Sequence, residues 1–306
     1  MKFKYSIIIP HYNSTEELKR LLDSIPTRRD IQVIVIDDKS NDSSFINVIS
    51  NSKVNNIQYY FNKGTKGAGA ARNIGLMHAE GQYLIFADAD DYFTKDAFKI
   101  IDNETYKSET NFDIIYFNAT SIDSNGHTGF RHVKISSLID NFINKRGKNY
   151  IEKLKYNHQG PCAKLYRNEF ISSNSIKFDQ TIVANDGIFT FKAAKNSKKI
   201  RVSKEIIYCI TQSDNSLTTE KNIENYRLRL EVFVKCYKYL SDSERAKVGI
   251  SPLPILYLGR QYGFIELIRS INYLKNNNIQ ILQNPPLSRD KFKNLYIRTF
   301  KNRVRR

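Results

Sequence analysis

The segment IQVIVI, residues 31–36, is apolar at all but one position, and a strand without a polar face must be covered on both sides. YSIIIP (5–10), IQYYF (57–61) and QYLIFAD (82–88) are further short β-branched or aromatic runs, separated by stretches with helical spacing. That alternation is the pattern of a mostly parallel sheet flanked by helices, an α/β fold. Between the first two runs, NSTEELKRLLDSI sets Leu18, Leu21, Leu22 and Ile25 on one helical face, and Ser14 with Glu17 reads as a capping box. A second helix is expected to open within GAGAARNIGLMHAEG, where small residues allow a close approach to the sheet and Gly81 marks the end.

FDIIYFN (112–118) supplies one more strand, and the polar stretch from Ser121 to about Tyr156 reads as a less regular half of the same domain. A break near Ser213–Asn222 leads into a helical segment in which Ile255, Leu258, Tyr262, Ile265, Ile268 and Ile271 recur at three- and four-residue intervals. That stripe is expected to face a core or lie on a membrane. The last eighteen residues, RDKFKNLYIRTFKNRVRR, hold eight basic residues and one acidic.

A chain of 306 residues can bury a substantial core, so it needs no disulfide framework. Cys162, Cys209 and Cys236 are odd in number and too widely spaced for zinc pairs; they read as reduced core residues of a cytosolic protein. The N-terminal apolar run is too short for a signal-peptide core, and nowhere do about eighteen apolar residues run together. Any membrane contact is therefore expected to be peripheral. With 48 basic and 31 acidic residues the net charge is +17, which draws phosphates, whether of nucleic acid, anionic lipid or a nucleotide.

Against that excess, acidic residues cluster where ligands collect in an open parallel sheet, outside the carboxyl ends of the strands. Asp37 and Asp38 follow IQVIVI, and Asp88, Asp90 and Asp91 follow QYLIFA. Crowded carboxylates need a cation or a dense hydrogen-bond network, and hard oxygen ligands on a turn suit Mg2+ or Mn2+ sharing its coordination with substrate phosphates. The plainer reading, turn formers and helix caps, serves for one aspartate better than for five. NKGTKGAGAARN (62–73) follows the third strand and opens a helix, so its amides and Arg72 can approach a diphosphate. It is neither a Walker lysine loop nor a dinucleotide fingerprint.

SIIIPHYN, VIVIDDKSND, NKGTKGAGAARNIG and YLIFADADDYF, in that order over the first hundred residues, resemble the successive blocks of family 2 glycosyltransferases with the GT-A fold. The resemblance implies that Asp38, with Asp37, reads the base of a nucleotide-sugar donor, probed first as a UDP-sugar. Pro10 and Tyr12 would line the base pocket, and Asn62 belongs to the donor-binding set. Asp88 would sit near the ribose, Asp90 with Asp88 would hold Mn2+ or Mg2+, and Arg72 would lie near the phosphates. In FDQTIVANDGIFTF (178–191), where the family commonly has a Glu-Asp pair, Asn185 and Asp186 stand. Asp186 matches the base of an inverting transfer, its plainer role being a helix cap.

GPCAKLYRNEF (160–170) resembles a segment of many such bacterial enzymes in which a tryptophan often precedes the lysine; this chain has no tryptophan. Lys164 and Arg167 are candidates for a sugar or lipid phosphate, or else a solvated basic face. YCITQSDNSLT resembles the loop that closes over the donor, with Gln212 roughly where a histidine sometimes completes the metal shell. His11 beside the nucleotide pocket reads as structural. The expected division is a catalytic domain over 1–215, with 1–100 its nucleotide-binding half and 101–215 its acceptor half, followed by a helical segment over 216–306. The expected acceptor is a hydroxyl of a growing, lipid-linked surface glycan of the capsule or lipopolysaccharide kind, met at the inner face of the membrane through the 289–306 tail. The competing readings are a basic nucleic-acid-binding protein, which has no need of clustered acids, and a sugar-nucleotide nucleotidyltransferase, which would want its glycine loop after the first strand.

Overall fold

The computed structural model describes residues 2–106, 112–145, 148–212 and 222–281. In chain order the elements are β1 (Phe3–His11), α1 (Thr15–Asp23), β2 (Ile31–Asp37), α2 (Phe45–Ser50), β3 (Ile57–Phe61), α3 (Ala68–His78), β4 (Gly81–Phe86) and β5 (Tyr92–Phe93). Then come α4 (Ala97–Tyr106), β6 (Ile114–Ile122), α5 (Val133–Lys145), α6 (Lys148–Asn157), β7 (Lys164–Arg167), α7 (Asn168–Ser173), α8 (Gly187–Asn196) and β8 (Ile200–Thr211). The remainder is helical: α9 (Ile223–Tyr239), α10 (Asp242–Val248), α11 (Leu253–Gly259), a 3-10 turn over Arg260–Tyr262, and α12 (Phe264–Asn276).

One sheet runs β3-β2-β1-β4-β7-β6-β8-β5. Its β3-β2-β1-β4 half is parallel, β7 is antiparallel to both β4 and β6, and β5 is antiparallel to β8. Alternate residues divide two cores. Ile7, Ile9, Val33 and Val35 face Leu18, Leu21 and Leu22 of α1 and Phe98 of α4; Ile8, Ile34, Ile36, Leu84 and Phe86 face Ala71 of α3 and Phe189 of α8. Every residue of β2 is buried, which is why it carries no polar face. The register His11↔Asp37, with the Asp38 amide donating to His11 O and the Asn62 amide to Asp37 O, brings the ends of β1, β2 and β3 to one edge.

The structure corrects several local expectations. Ser14 stands at the N-cap of α1 but its side chain makes no capping bond; its amide is turned instead toward His11 Nε2, 3.4 Å away. A capping box forms at Ser241–Glu244, ahead of α10. Gly81 is not a helix stop: α3 ends at His78, and Gly81 opens β4, where a Cβ would stand 2.5 Å from the Ser6 nitrogen. The stretch expected to be irregular contains α5 and α6, which pack on each other and bury Ile139, Leu154 and Tyr156.

The first compact unit extends to Ile250, and in it Val232 and Cys236 of α9 pack with Ile188, Phe191 and Ala194 of α8. The second unit begins at Ser251, and in it the stripe drawn through Ile255–Ile271 is broken by Gly263 and is not the buried one. The basic tail, 289–306, lies outside the described residues. No helix among the described residues is long and apolar enough to cross a membrane.

Candidate active site

At the carboxyl ends of β2 and β3 the candidate base-contacting residues are tied into the protein. Asp37 is buried, with Oδ1 3.2 Å from His11 Nδ1 and Oδ2 accepting from the Ser40 amide at 3.1 Å. Asp38 is buried too; Oδ1 accepts from Asn62 Nδ2 at 2.6 Å and Oδ2 from the Gly67 amide at 2.8 Å. Asn62 also donates to Thr65 O and accepts from the Gly64 amide. Asp38 and Asn62 therefore shape the glycine-rich loop, each carboxylate oxygen keeping one lone pair beyond these bonds. Pro10 is buried within β1, whereas Tyr12 is exposed, with Lys66 Nζ 3.6 Å from its ring centroid.

The three aspartates after β4 have three environments. Asp88, its side chain 40% exposed, pairs through Oδ1 with Arg72 Nη2 at 2.5 Å, while its amide donates to the Tyr208 hydroxyl at 2.9 Å. Asp91 is buried and accepts from the Thr211 amide at 2.7 Å. Burial, with Asp88 and Asp90 adding, drives its carboxyl well above the usual range. Asp90 takes no side-chain or backbone donor from another described residue. Burial and then Asp88 push its carboxyl up to about 6, against the pull of Arg131 and Arg20. Arg20 itself clamps the turn, donating to Asp90 O at 2.5 Å and Thr211 Oγ1 at 3.2 Å.

Arg72, buried on α3, joins this turn to the segment before α8. Its Nη1 donates to Asn185 Oδ1 at 2.9 Å while Nη2 holds Asp88, so the guanidinium spans two partners far apart in the chain. The segment is held from α3 at two more points. Asn73 exchanges both bonds with the Phe178 backbone, each at 2.9 Å. Gly69 lies so close that a Cβ there would stand 2.1 Å from Asp179 O and 2.7 Å from Asn185 Cβ. Neither Asn73 nor Gly69 was singled out from sequence; both sit in the GAGAARN segment, and what they touch is visible only in three dimensions.

Asp186 occupies the N-cap position of α8, yet its side chain makes no capping bond and takes no donor from another described residue. Burial raises its carboxyl, with Arg72 and Lys164 pulling it back. It is a poised, unspent carboxylate. Lys164 is neither a surface cation nor open to a phosphate: it is buried, and Nζ donates to His158 O at 2.6 Å and Gly160 O at 2.7 Å. Burial brings its amine down to about 7, while Asp186 and Cys162 favour the charged form. Arg167 is committed to Asp113 at 3.1 Å and Glu169 at 3.5 Å. The Gln212 backbone amide donates to Ile122 O, and its Oε1 is buried without a partner among the described residues. Residues 213–221, most of the expected closing loop, lie outside the described residues.

Among the described residues no three or more His, Cys, Asp or Glu side chains form a metal cluster. Asp90, which takes no donor from another described residue, with the Asp88 oxygen that Arg72 leaves unpaired, fits a divalent cation that takes one or two protein carboxylates and completes its shell with phosphate and water.

Poly(ribitol-phosphate) beta-glucosyltransferase of Bacillus spizizenii is 27% identical to this chain over 271 residues, 85% of this chain and 40% of that protein. The Staphylococcus aureus poly(ribitol-phosphate) beta-N-acetylglucosaminyltransferase TarP is 27% identical over 253 residues, 77% of this chain and 72% of that one. The chain thus spans well under half of the Bacillus relative. Among solved structures, S. aureus TarS 1-349 in complex with UDP-GlcNAc matches with a TM-score of 0.67 at 22% identity, over 90% of this chain and 80% of that one. The mannosyltransferase PcManGT from Pyrobaculum calidifontis, in complex with GDP-Man and Mn2+, matches with a TM-score of 0.56 at 13% identity. These likenesses show the expected GT-A fold. The family model described as glycosyl transferase family 2 matches residues 6–173, more than half of the sequence, and the chain belongs to that family.

Proposed function

We propose that the chain is an inverting glycosyltransferase that moves a sugar from a nucleotide-sugar, first of all a UDP-sugar, to a hydroxyl of a surface glycan. One observation carries the reading: Arg72 ties the Asp88–Asp90 turn to the Asn185–Asp186 pair, so a cation-seeking carboxylate and a free basic carboxylate share one crevice. Asp186, raised by burial and taking no donor from another described residue, takes the proton of the attacking hydroxyl. Arg72 holds Asp88 and Asn185 in place and acts as a positioning group for both halves. Asp90, with Asp88, holds Mn2+ or Mg2+. Such a cation stabilises the negative charge that grows on the departing diphosphate. Tyr12 and Lys66 border the base side of the crevice, and Asp38, Asp37, Asn62 and Pro10 shape it.

The relatives named for poly(ribitol-phosphate) support an anionic, polyol-phosphate type of acceptor, which a net charge of +17 would attract. We place the transfer at the inner face of the membrane, where the acceptor is lipid-linked and the 289–306 tail meets anionic headgroups. The catalytic division is 1–215, with 216–306 as its helical extension.

Calorimetric titration with a panel of nucleoside diphosphates, with and without Mn2+, tests the donor assignment. Binding of UDP that requires the metal is expected. Folded protein that binds no diphosphate would overturn it and turn attention to nucleic acid.

A further inference from the structure

Helix α12 leaves large apolar side chains in water. At about 100° per residue, Glu266, Ser270 and Leu274 share one side, and these are its buried residues. The opposite side carries Phe264 and Ile268 with Ile265 at its edge, exposed by 75%, 42% and 69%. A surface helix ordinarily shows the reverse, apolar residues inward and polar ones outward. Here Glu266 and Ser270 share the buried side with Leu274, and the solvent side holds an aromatic and two β-branched aliphatics. Arg269 and Lys275, both exposed, flank this apolar side, and Glu266 lies 3.6 Å from Arg269.

The second unit, from Ser251 onward, is also where the charge is concentrated. It contains eleven Lys and Arg against two acidic residues, a net +9, and leaves +8 for the 250 residues before it. We propose that the outer face of α12, through Phe264, Ile265 and Ile268 with Arg269 and Lys275 beside them, is a docking surface for an anionic lipid bilayer. The two halves of the observation select that partner together. Headgroup phosphates meet the cations, and the acyl boundary takes the apolar side chains at the same depth. An anionic polymer would satisfy the cations and leave Phe264 and Ile265 in water. A second copy would cover the apolar face but set Arg269 and Lys275 of one copy against those of the other. The inference does not depend on the glycosyltransferase reading, since lipid docking is measured without a substrate.

The chain has no tryptophan, so Phe264→Trp in the full chain installs a single reporter at the proposed depth. Vesicles of phosphatidylcholine with about one-third phosphatidylglycerol should shift its emission to the blue and let brominated acyl chains quench it. Vesicles of phosphatidylcholine alone should do so only weakly. In co-sedimentation, Ile265→Ser/Ile268→Ser should reduce partition to the anionic vesicles at least tenfold, with an unchanged circular dichroism spectrum and melting temperature serving as the check on folding. The proposal fails if the tryptophan stays water-exposed while the protein sediments with vesicles, because cations alone would then account for binding. It fails equally if inorganic polyphosphate gives the same blue shift, or if the shift appears without lipid as a concentration-dependent dimer forms.

Discussion

Replacing Gly69 by alanine adds one methyl group on α3, away from any reacting atom, and tests how the crevice is held together. The new Cβ would stand 2.1 Å from Asp179 O, whereas ordinary contact begins near 3.4 Å, so about 1.3 Å must be absorbed. The opposing atom is a backbone carbonyl, and Asn185 Cβ at 2.7 Å blocks a second direction, so side-chain rotation gives no relief. The segment 179–186 must retreat from α3. Overpacking of this kind costs about 1–3 kcal/mol. Gly69 is the second residue of α3, where the propensity gain on replacing glycine falls below its interior value of about 1 kcal/mol, so most of that cost remains, a loss of several degrees in Tm. The effect on chemistry is larger, because the moving segment carries Asn185 and Asp186. A displacement near 1 Å costs on the order of 10²-fold in rate. Turnover with donor and acceptor should therefore fall about a hundredfold while Mn2+-dependent UDP binding, seated on the opposite side of Arg72, changes little. Wild-type turnover in a folded Gly69→Ala protein would refute the claim that α3 positions the base.

Three further outcomes follow from the same geometry. Asp90→Asn should abolish the metal requirement of UDP binding together with its tightness; in the parent chain, because the carboxyl titrates at about 6, calorimetric affinity for UDP with Mn2+ should fall about tenfold per unit as pH drops below 6. Asp186→Asn should leave that binding intact and lower transfer by roughly 10²–10⁴-fold in a steady-state assay, the usual worth of a general base. Lys164 sits at about 7 in the fold against 10.5 unfolded, so the native state binds fewer protons between those values and stability should rise with pH across that window, by up to about 5 kcal/mol. Denaturant titrations should show that rise flattened in Lys164→Met.

Much of this was legible in the chain because it is local. The unbroken IQVIVI run could only be a doubly covered strand, and β2 is buried throughout. The two aspartate clusters follow strand ends whose direction the parallel order fixes, so their meeting at one edge could be anticipated. The β5 and β7 strands, two and four residues long, escape a periodicity argument because their neighbours in space, not their own pattern, make them strands. In α5, Ile135, Leu138, Ile139 and Phe142 recur at helical spacing and pack on the second core, a stripe hidden from the sequence reading by the polar residues around it. Lys164 reads as a surface cation because composition cannot reveal that two carbonyls wait for its amine in the interior. The reach of Arg72 to Asn185 across 113 positions has no sequence signature at all.

The crowding of Asp88, Asp90 and Asp91 resolves once each is assigned its partner. Asp88 spends one oxygen on a buried guanidinium that can neither deprotonate nor move without exposing Asn185 to an unsatisfied bond. Asp91 faces inward to the Thr211 amide, and its carboxyl, driven well above the usual range, resists ionising beside the other two. The strand end thus presents three aspartates without three competing charges. What remains is Asp90, the one carboxylate of the three that takes no donor from another described residue and whose ionisation is held back to about 6. Neutral Asn185 matters to the same balance: with no second acid bonded to it, Arg72 directs its remaining field at Asp186 and keeps that buried carboxyl from rising further. One arginine therefore limits the charge at both ends of the crevice, and its loss would unbalance the cation-seeking carboxylate and the basic one together.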